Sequence, residues 1–168
     1  LGAPIRHHNH PELAAEKYVV FADGNRRYVD FSDEVCGLLG YSRTEILSMT
    51  IDEISYAKAE VAPLFESYLR EGLQEGDFVL RHKLGAPVLI RYRAWVFADG
   101  CLAATWQPAE DWEQRYVEAL LEVRPNQLEA KVAVAAKAIR ERQSALTGKD
   151  PLETHNRLRD ALSNLKSI

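Results

Sequence analysis

Apolar positions follow two different rhythms in this chain. Up to about residue 108 they come in short runs and alternations broken by Gly, Asp and Asn; beyond it they recur every three or four residues. Residues 18–22 (Tyr-Val-Val-Phe-Ala) and 27–31 (Arg-Tyr-Val-Asp-Phe) flank Asp23-Gly24, which predicts a β-hairpin. Val35, Leu38 and Leu39 then take helical spacing after Ser32 as a candidate N-cap, and Gly40 stops that helix. Ser42 and Glu45 have capping-box spacing ahead of Ile46-Leu47, so a second short helix starts there. Val61, Leu64, Phe65, Tyr68 and Leu69 form one apolar face up to Gly72, with Pro63 expected in the first turn. Three strands are predicted next, over residues 78–83, 88–97 and 101–107, as an antiparallel meander with turns at Gly85-Ala86 and Asp99-Gly100. In the middle run Val88, Ile90, Tyr92, Ala94 and Val96 alternate with Leu89, Arg91, Arg93, Trp95 and Phe97, giving a core side and a wetter side.

The second rhythm predicts helices. Trp112, Tyr116 and Leu120 lie four apart, and Pro125 breaks the run. Leu128, Val132, Ala135, Ile139, Arg142 and Leu146 mark a long helix of nearly heptad spacing. Residues 147–151 read as a turn with Pro151 at the first helical position, and Leu152, His155, Leu158, Leu162 and Leu165 form the next stripe. The two stripes describe a helical hairpin, and self-association is the economical way to cover what it leaves exposed. The organisation expected is a flexible lead-in over 1–17, an α+β domain over 18–108 and a helical segment over 109–168.

Composition narrows the function classes. The 168 residues carry a formal charge of −4, with 15 acidic against 11 basic side chains in residues 1–108 and 10 against 10 in 109–168. That balance disfavours nucleic acid as a partner. No apolar run is long enough to span a membrane, and no signal-peptide layout is present. Cys36 and Cys101 lie in apolar surroundings without CxxC spacing, which reads as two reduced thiols and a cytoplasmic setting. The chain begins at Leu1, so a trimmed or partial chain is expected. His7, His8 and His10 bring three imidazoles together, but a mobile terminus supplies no second shell to hold a metal, and none is assigned.

Two strands, several short helices and three antiparallel strands, in that order over residues 18–107, resemble the PAS domain family. Asp23-Gly24-Asn25 before the second strand, Leu38-Leu39-Gly40-Tyr41-Ser42 and Glu45-Ile46-Leu47 resemble the family's local text, as does residues 105–111 as the junction between last strand and outgoing helix. Asp30-Phe31-Ser32 departs from it, since many members carry Asn just after the second strand. The resemblance implies a five-stranded antiparallel sheet with short helices on one face, followed here by an α-helical hairpin. It also implies a sensor or interaction module that is not an enzyme.

Cofactor subfamilies are not matched. The reactive-cysteine motif of the flavin-binding members is absent, and residues 60–72 offer no axial histidine for haem. An unidentified small molecule remains as ligand, in a pocket lined by Phe65, Tyr68, Val79, Ile90, Tyr92, Trp95 and Thr105, the same residues that would otherwise be plain core. Trp106, Gln107, Asp111 and Trp112 are the candidate signal junction, and a homodimer with a downstream signalling protein the expected partners. Two alternatives stand beside this reading: a ligand-free adaptor, and a histidine-kinase fragment with residues 126–168 as dimerisation and phosphoacceptor hairpin, whose His155 is expected on the apolar stripe. Adjacent carboxylates at Asp52-Glu53 and Glu110-Asp111 suggest no convergent catalytic pair, and no nucleotide, hydrolase or metalloprotease motif is found.

Overall fold

The computed structural model describes residues 10–168, so His7 and His8 lie outside the described residues. The chain divides at Pro108 into two compact units, the second beginning at Ala109.

The first unit is built on a five-stranded sheet in the order β2-β1-β5-β4-β3, every neighbouring pair antiparallel. The strands are β1 (Val19–Ala22), β2 (Tyr28–Phe31), β3 (Leu73–Arg81), β4 (Pro87–Val96) and β5 (Leu102–Pro108). The turn between β1 and β2 is closed by Asp23, whose Oδ1 accepts from the backbone N–H groups of Asn25 at 2.8 Å and Arg27 at 2.9 Å. Arg26 takes a left-handed φ of 63° there and pairs with Asp52 at 2.8 Å. Strand β3 starts five residues earlier than the alternation suggested. Its first half, Leu73 to Asp77, is mostly exposed edge strand whose polar side chains hide the signal, and the ladder from Leu73↔Trp95 to Arg81↔Pro87 reveals it.

Between β2 and β3 run α1 (Glu34–Leu39), α2 (Arg43–Leu47), α3 (Ile51–Ile54) and α4 (Lys58–Glu71). Ser42 and Glu45 form the expected capping box, and Gly40 ends α1 at φ 75°. Ser32 does not cap α1. Its hydroxyl donates to the Lys17 carbonyl at 2.8 Å and accepts from the Val19 N–H at 3.0 Å, so it pins the start of β1 instead. Pro63 is not in the first turn either, because α4 begins at Lys58; its missing N–H leaves the interior ladder one donor short. The departure at Asp30 has a structural use. Asp30 is nearly buried and pairs with Arg43, whose guanidinium also donates to the Phe31 carbonyl at 2.9 Å and covers the Phe31 ring, tying β2 to α2.

The main core joins Val20, Tyr28, Phe31, Val35, Leu39, Ile46, Ile54, Leu80, Ile90 and Trp106 between these helices and one sheet face. Each fully buried side chain among them contributes about 1.5–3 kcal/mol. The other face is not simply wet. Leu13, Val19, Phe21, Cys101 and Ala103 form a second apolar cluster with Trp95 and Phe97, leaving Arg93 exposed and Arg91 partly so. Leu13 belongs to a 3-10 turn (Pro11–Leu13), so part of the aperiodic lead-in is anchored on that face.

The second unit contains three helices, α5 (Asp111–Leu120), α6 (Pro125–Ala145) and α7 (Leu152–Leu165). The hairpin α6–α7 shares its core with α5, through Trp112, Ala119, Ala135, Ile139, Leu158, Ala161 and Leu165. Ala119, Ala135 and Ala161 are small enough to let the helices approach. Glu110 and Glu113 form a capping box at the start of α5, and the buried Glu113 pairs with Arg157 of α7. Pro151 is the N-cap of α7 rather than its first residue. Of the expected stripe of α7, Leu158 and Leu165 are buried, joined by Ala161, and Leu162 is partly buried, whereas Leu152 and His155 in the first turn are exposed. Among the described residues no helix is long and apolar enough to cross a membrane.

Candidate ligand cavity

Helix α4 presents Val61, Phe65 and Tyr68, spaced four and three apart, to the sheet. Opposite them the sheet should fill the space with large inward side chains, but it does not. Val20 of β1, Ala104 of β5 and Ala94 of β4 stand in one cross-strand row, and Ala22 adds a further small inward residue. The missing side-chain volume leaves a partly open cavity of about 110 Å³. An apolar cavity of about 150 Å³ accommodates benzene, so this one is on the scale of a small ring or a short aliphatic chain. It is well below the ~300 Å³ at which drug-sized pockets begin.

The walls come from every strand: Val20 and Ala22, Tyr28, Phe78 and Leu80, Ile90, Tyr92 and Ala94, and Leu102, Ala104 and Trp106. The lining contains no carboxylate, imidazole, amine, thiol or aliphatic hydroxyl. It therefore offers no imidazole or thiolate to a haem iron and no cysteine for a flavin adduct, and its titratable groups are phenols. Its polar groups are three phenols, one amide and one indole. The Tyr68 hydroxyl donates to the Trp95 carbonyl. The Tyr92 hydroxyl donates to Gln74 Oε1 at 3.1 Å, and Gln74 Nε2 donates to the Leu64 carbonyl at 3.3 Å, which ties β3 to α4. Burial raises the pKa of all three phenols, Tyr28, Tyr68 and Tyr92, so each is a neutral donor. Tyr28 and Trp106 meet edge to face at 6.4 Å, and neither makes a side-chain hydrogen bond to another described residue.

Of the pocket residues singled out from sequence, Phe65, Tyr68, Ile90 and Tyr92 line the cavity. Val79, Trp95 and Thr105 do not, and the correction follows from strand period. Each is one residue out of phase with an inward neighbour, Leu80, Ala94 or Trp106, and so belongs to the opposite face. Trp95 there stacks on Phe97 beneath Arg93. Sequence reasoning missed Tyr28, Gln74, Phe78 and the alanine row. The phase of Ile90, Tyr92 and Ala94 carried the signal for the alanines. Among the junction residues, Trp106 lines the cavity and Gln107 is exposed. In the helical unit Asp111 begins α5 in an ion pair with Arg115 at 3.3 Å, and Trp112 is buried with its indole N–H donating to Glu110 at 3.1 Å.

No protein-family model matches the chain, and no curated protein does. Solved structures do. A PAS domain from Desulfitobacterium hafniense aligns at 22% identity and TM-score 0.52, over 60% of this chain and 99% of its own. A PAS domain from a two-component sensor histidine kinase aligns at 17% identity and TM-score 0.51, over 61% and 94%. The PAS domain of an HTR-like protein from Haloarcula marismortui gives 14% identity and TM-score 0.51, over 61% and 91%. Those coverages, with the strand order and the four intervening helices, establish that this α+β chain contains a PAS-like fold.

Proposed function

We propose that the chain is a non-enzymatic sensor module. A small apolar molecule occupies the cavity between α4 and the sheet, and its presence biases the backbone running from β5 into α5. The observation that carries this reading is the cavity itself: an alanine-floored, uncharged space whose wall includes Trp106, two residues before the end of β5. Tyr28 and Trp106 supply donors that a ligand with one acceptor atom would satisfy. The signalling logic is a population shift, which needs only that the ligand bind one arrangement of β5 better than the other.

The sensor histidine kinase PAS domain similar to this chain supports a signalling role for the fold, and Gln107 to Trp112 is the stretch we assign to the relay. Binding of benzene and of indole to the full chain, followed by amide chemical shifts in NMR, tests the first half. Wild type should show saturable shifts at Ile90, Tyr92 and Trp106, and Ala94→Leu, which fills the row beside Ala104, should weaken binding about tenfold or more. Equal binding by that variant, or no binding of either probe by wild type, overturns the sensor reading in favour of a ligand-free adaptor.

A further inference from the structure

On the face of the sheet opposite the cavity, the turn between β4 and β5 meets His10, the residue that precedes the 3-10 turn Pro11–Leu13. We propose that His10, Asp99 and Cys101 form a binding site for a divalent cation of the zinc type. One ligand atom from each residue lies within 4.8 Å of the other two. His10 and Cys101 are 6% and 3% exposed, and Asp99 is at the surface.

The decisive observation is the His10 imidazole. Its Nε2 is buried and makes no hydrogen bond among the described residues, although it lies 3.4 Å from Asp99 Oδ2. An unsatisfied buried nitrogen costs free energy unless something else fills the site. Ligands around a tetrahedral zinc ion, at bond lengths of about 2.0–2.3 Å, stand about 3.3–3.8 Å apart, which is the separation of this nitrogen and oxygen.

The surroundings fit the role. The His10 ring stacks on Phe97 at 4.0 Å between centroids, and its Nδ1 lies 3.5 Å from Glu12 Oε1, the carboxylate partner that commonly orients a ligating imidazole. Asp99 Oδ1 accepts from the Cys101 N–H at 2.9 Å, which leaves Oδ2 for the ion. Burial, with the nearby Asp99 carboxylate, pushes the Cys101 thiol up to about 11, so it is protonated at neutral pH and its proton leaves to solvent when the metal binds. Nitrogen, sulfur and oxygen in one site suit Zn²⁺ and its spectroscopic substitute Co²⁺, with a fourth position open to water. Binding would clip the residues before β1 onto the β4–β5 turn, closing a loop of nearly ninety residues and making the lead-in dependent on metal.

The test is titration of the full chain with Co²⁺, read by the sulfur-to-cobalt charge-transfer band, followed by displacement with Zn²⁺. Wild type and Cys36→Ser should bind one equivalent with the band. Cys101→Ser and His10→Ala should lose the band and bind about tenfold or more weakly. Zn²⁺ should raise the melting temperature of wild type and not that of His10→Ala. Absence of the band in wild type, its survival in Cys101→Ser, or Co²⁺ affinity unchanged by His10→Ala would each overturn the assignment. The last result would place the metal on other histidines. Should Cys101→Ser fail to fold, His10→Ala and Asp99→Asn carry the same comparison, with circular dichroism confirming that they are folded.

Discussion

Truncating Ile90 to Ala probes whether the cavity wall is as tightly set as the geometry requires. Ile90 is 1% exposed and belongs both to the cavity lining and to the main core with Leu80 and Trp106. Removing three carbon atoms forfeits about 2.4 kcal/mol of transfer free energy at about 0.8 kcal/mol each. The void left behind adds to it at about 24 cal/mol per Å³, and the neighbouring rings, Tyr28 edge to face with Trp106 and Tyr92 edge to face with Phe78, allow only partial collapse. The expected cost is about 3–4 kcal/mol. In a domain of about a hundred residues that lowers the melting temperature by roughly 12 °C or more. Leu89→Ala is the control: nearly the same atoms are removed one residue earlier, on the opposite face, from a half-buried position, for about 1 kcal/mol. Urea unfolding of the full chain measures both, with the two units fitted as separate transitions. The enlarged cavity should also bind benzene better than wild type, so that benzene restores more stability to Ile90→Ala than it adds to wild type. Equal costs for the two truncations would refute the assignment of Ile90 to a locked cavity wall.

Two further outcomes test the local geometry. Hydrogen bonding from Lys83, helped by Ser42, holds the Glu45 carboxyl down at about 2, below its unfolded value; its contribution to stability is therefore present above about pH 4.5 and lost as pH falls towards 2. Acid unfolding should begin at higher pH in Lys83→Met than in wild type, and coincident acid curves would contradict the coupling. Gly40→Ala places a Cβ at φ 75° and 2.5 Å from the His82 Nε2, a ring held through Nδ1 by the Leu84 N–H at 3.1 Å, and should cost about 2 kcal/mol; His82→Ala in the same chain should recover the steric part and leave about 1 kcal/mol. Denaturant unfolding of the single and double variants measures this, and no recovery would mean that the ring is not what the Cβ meets.

Much of the fold is written locally in the chain, where one physical rule governs each signal. The Ser42-Glu45 capping box, the left-handed Gly40 and the alternation through Ile90, Tyr92 and Ala94 are all visible without tertiary context. The errors lie where two rules compete. The exposed start of β3 has polar residues that satisfy no strand pattern, and its pairing with β4 overrides them. Ser32 has the chemistry of a helix cap but finds a strand backbone to bind first. Residue type suggests Val79, Trp95 and Thr105 for the pocket, although period-2 phase sends them to the other face. The spacing of His155 from Leu152 and Leu158 puts it on an apolar stripe, but packing against α5 and α6 buries Leu158, Ala161 and Leu165 and leaves His155 exposed. The cavity depends on alanines, whose contribution is an absence of volume and carries little weight in sequence. The cluster at His10 was out of reach for a different reason, since residues 10 and 99–101 come together only through the topology of the sheet.

Amide hydrogen exchange across α5 in the full chain, with and without benzene, tests the central claim that cavity occupancy reaches the helical segment. Exchange of the amides of α5 (Asp111–Leu120) should change on saturation in wild type, and change less at the same benzene concentration in Ala94→Leu, which binds about tenfold or more weakly. Protection that changes only within residues 18–108, with α5 untouched at saturating benzene, would contradict it.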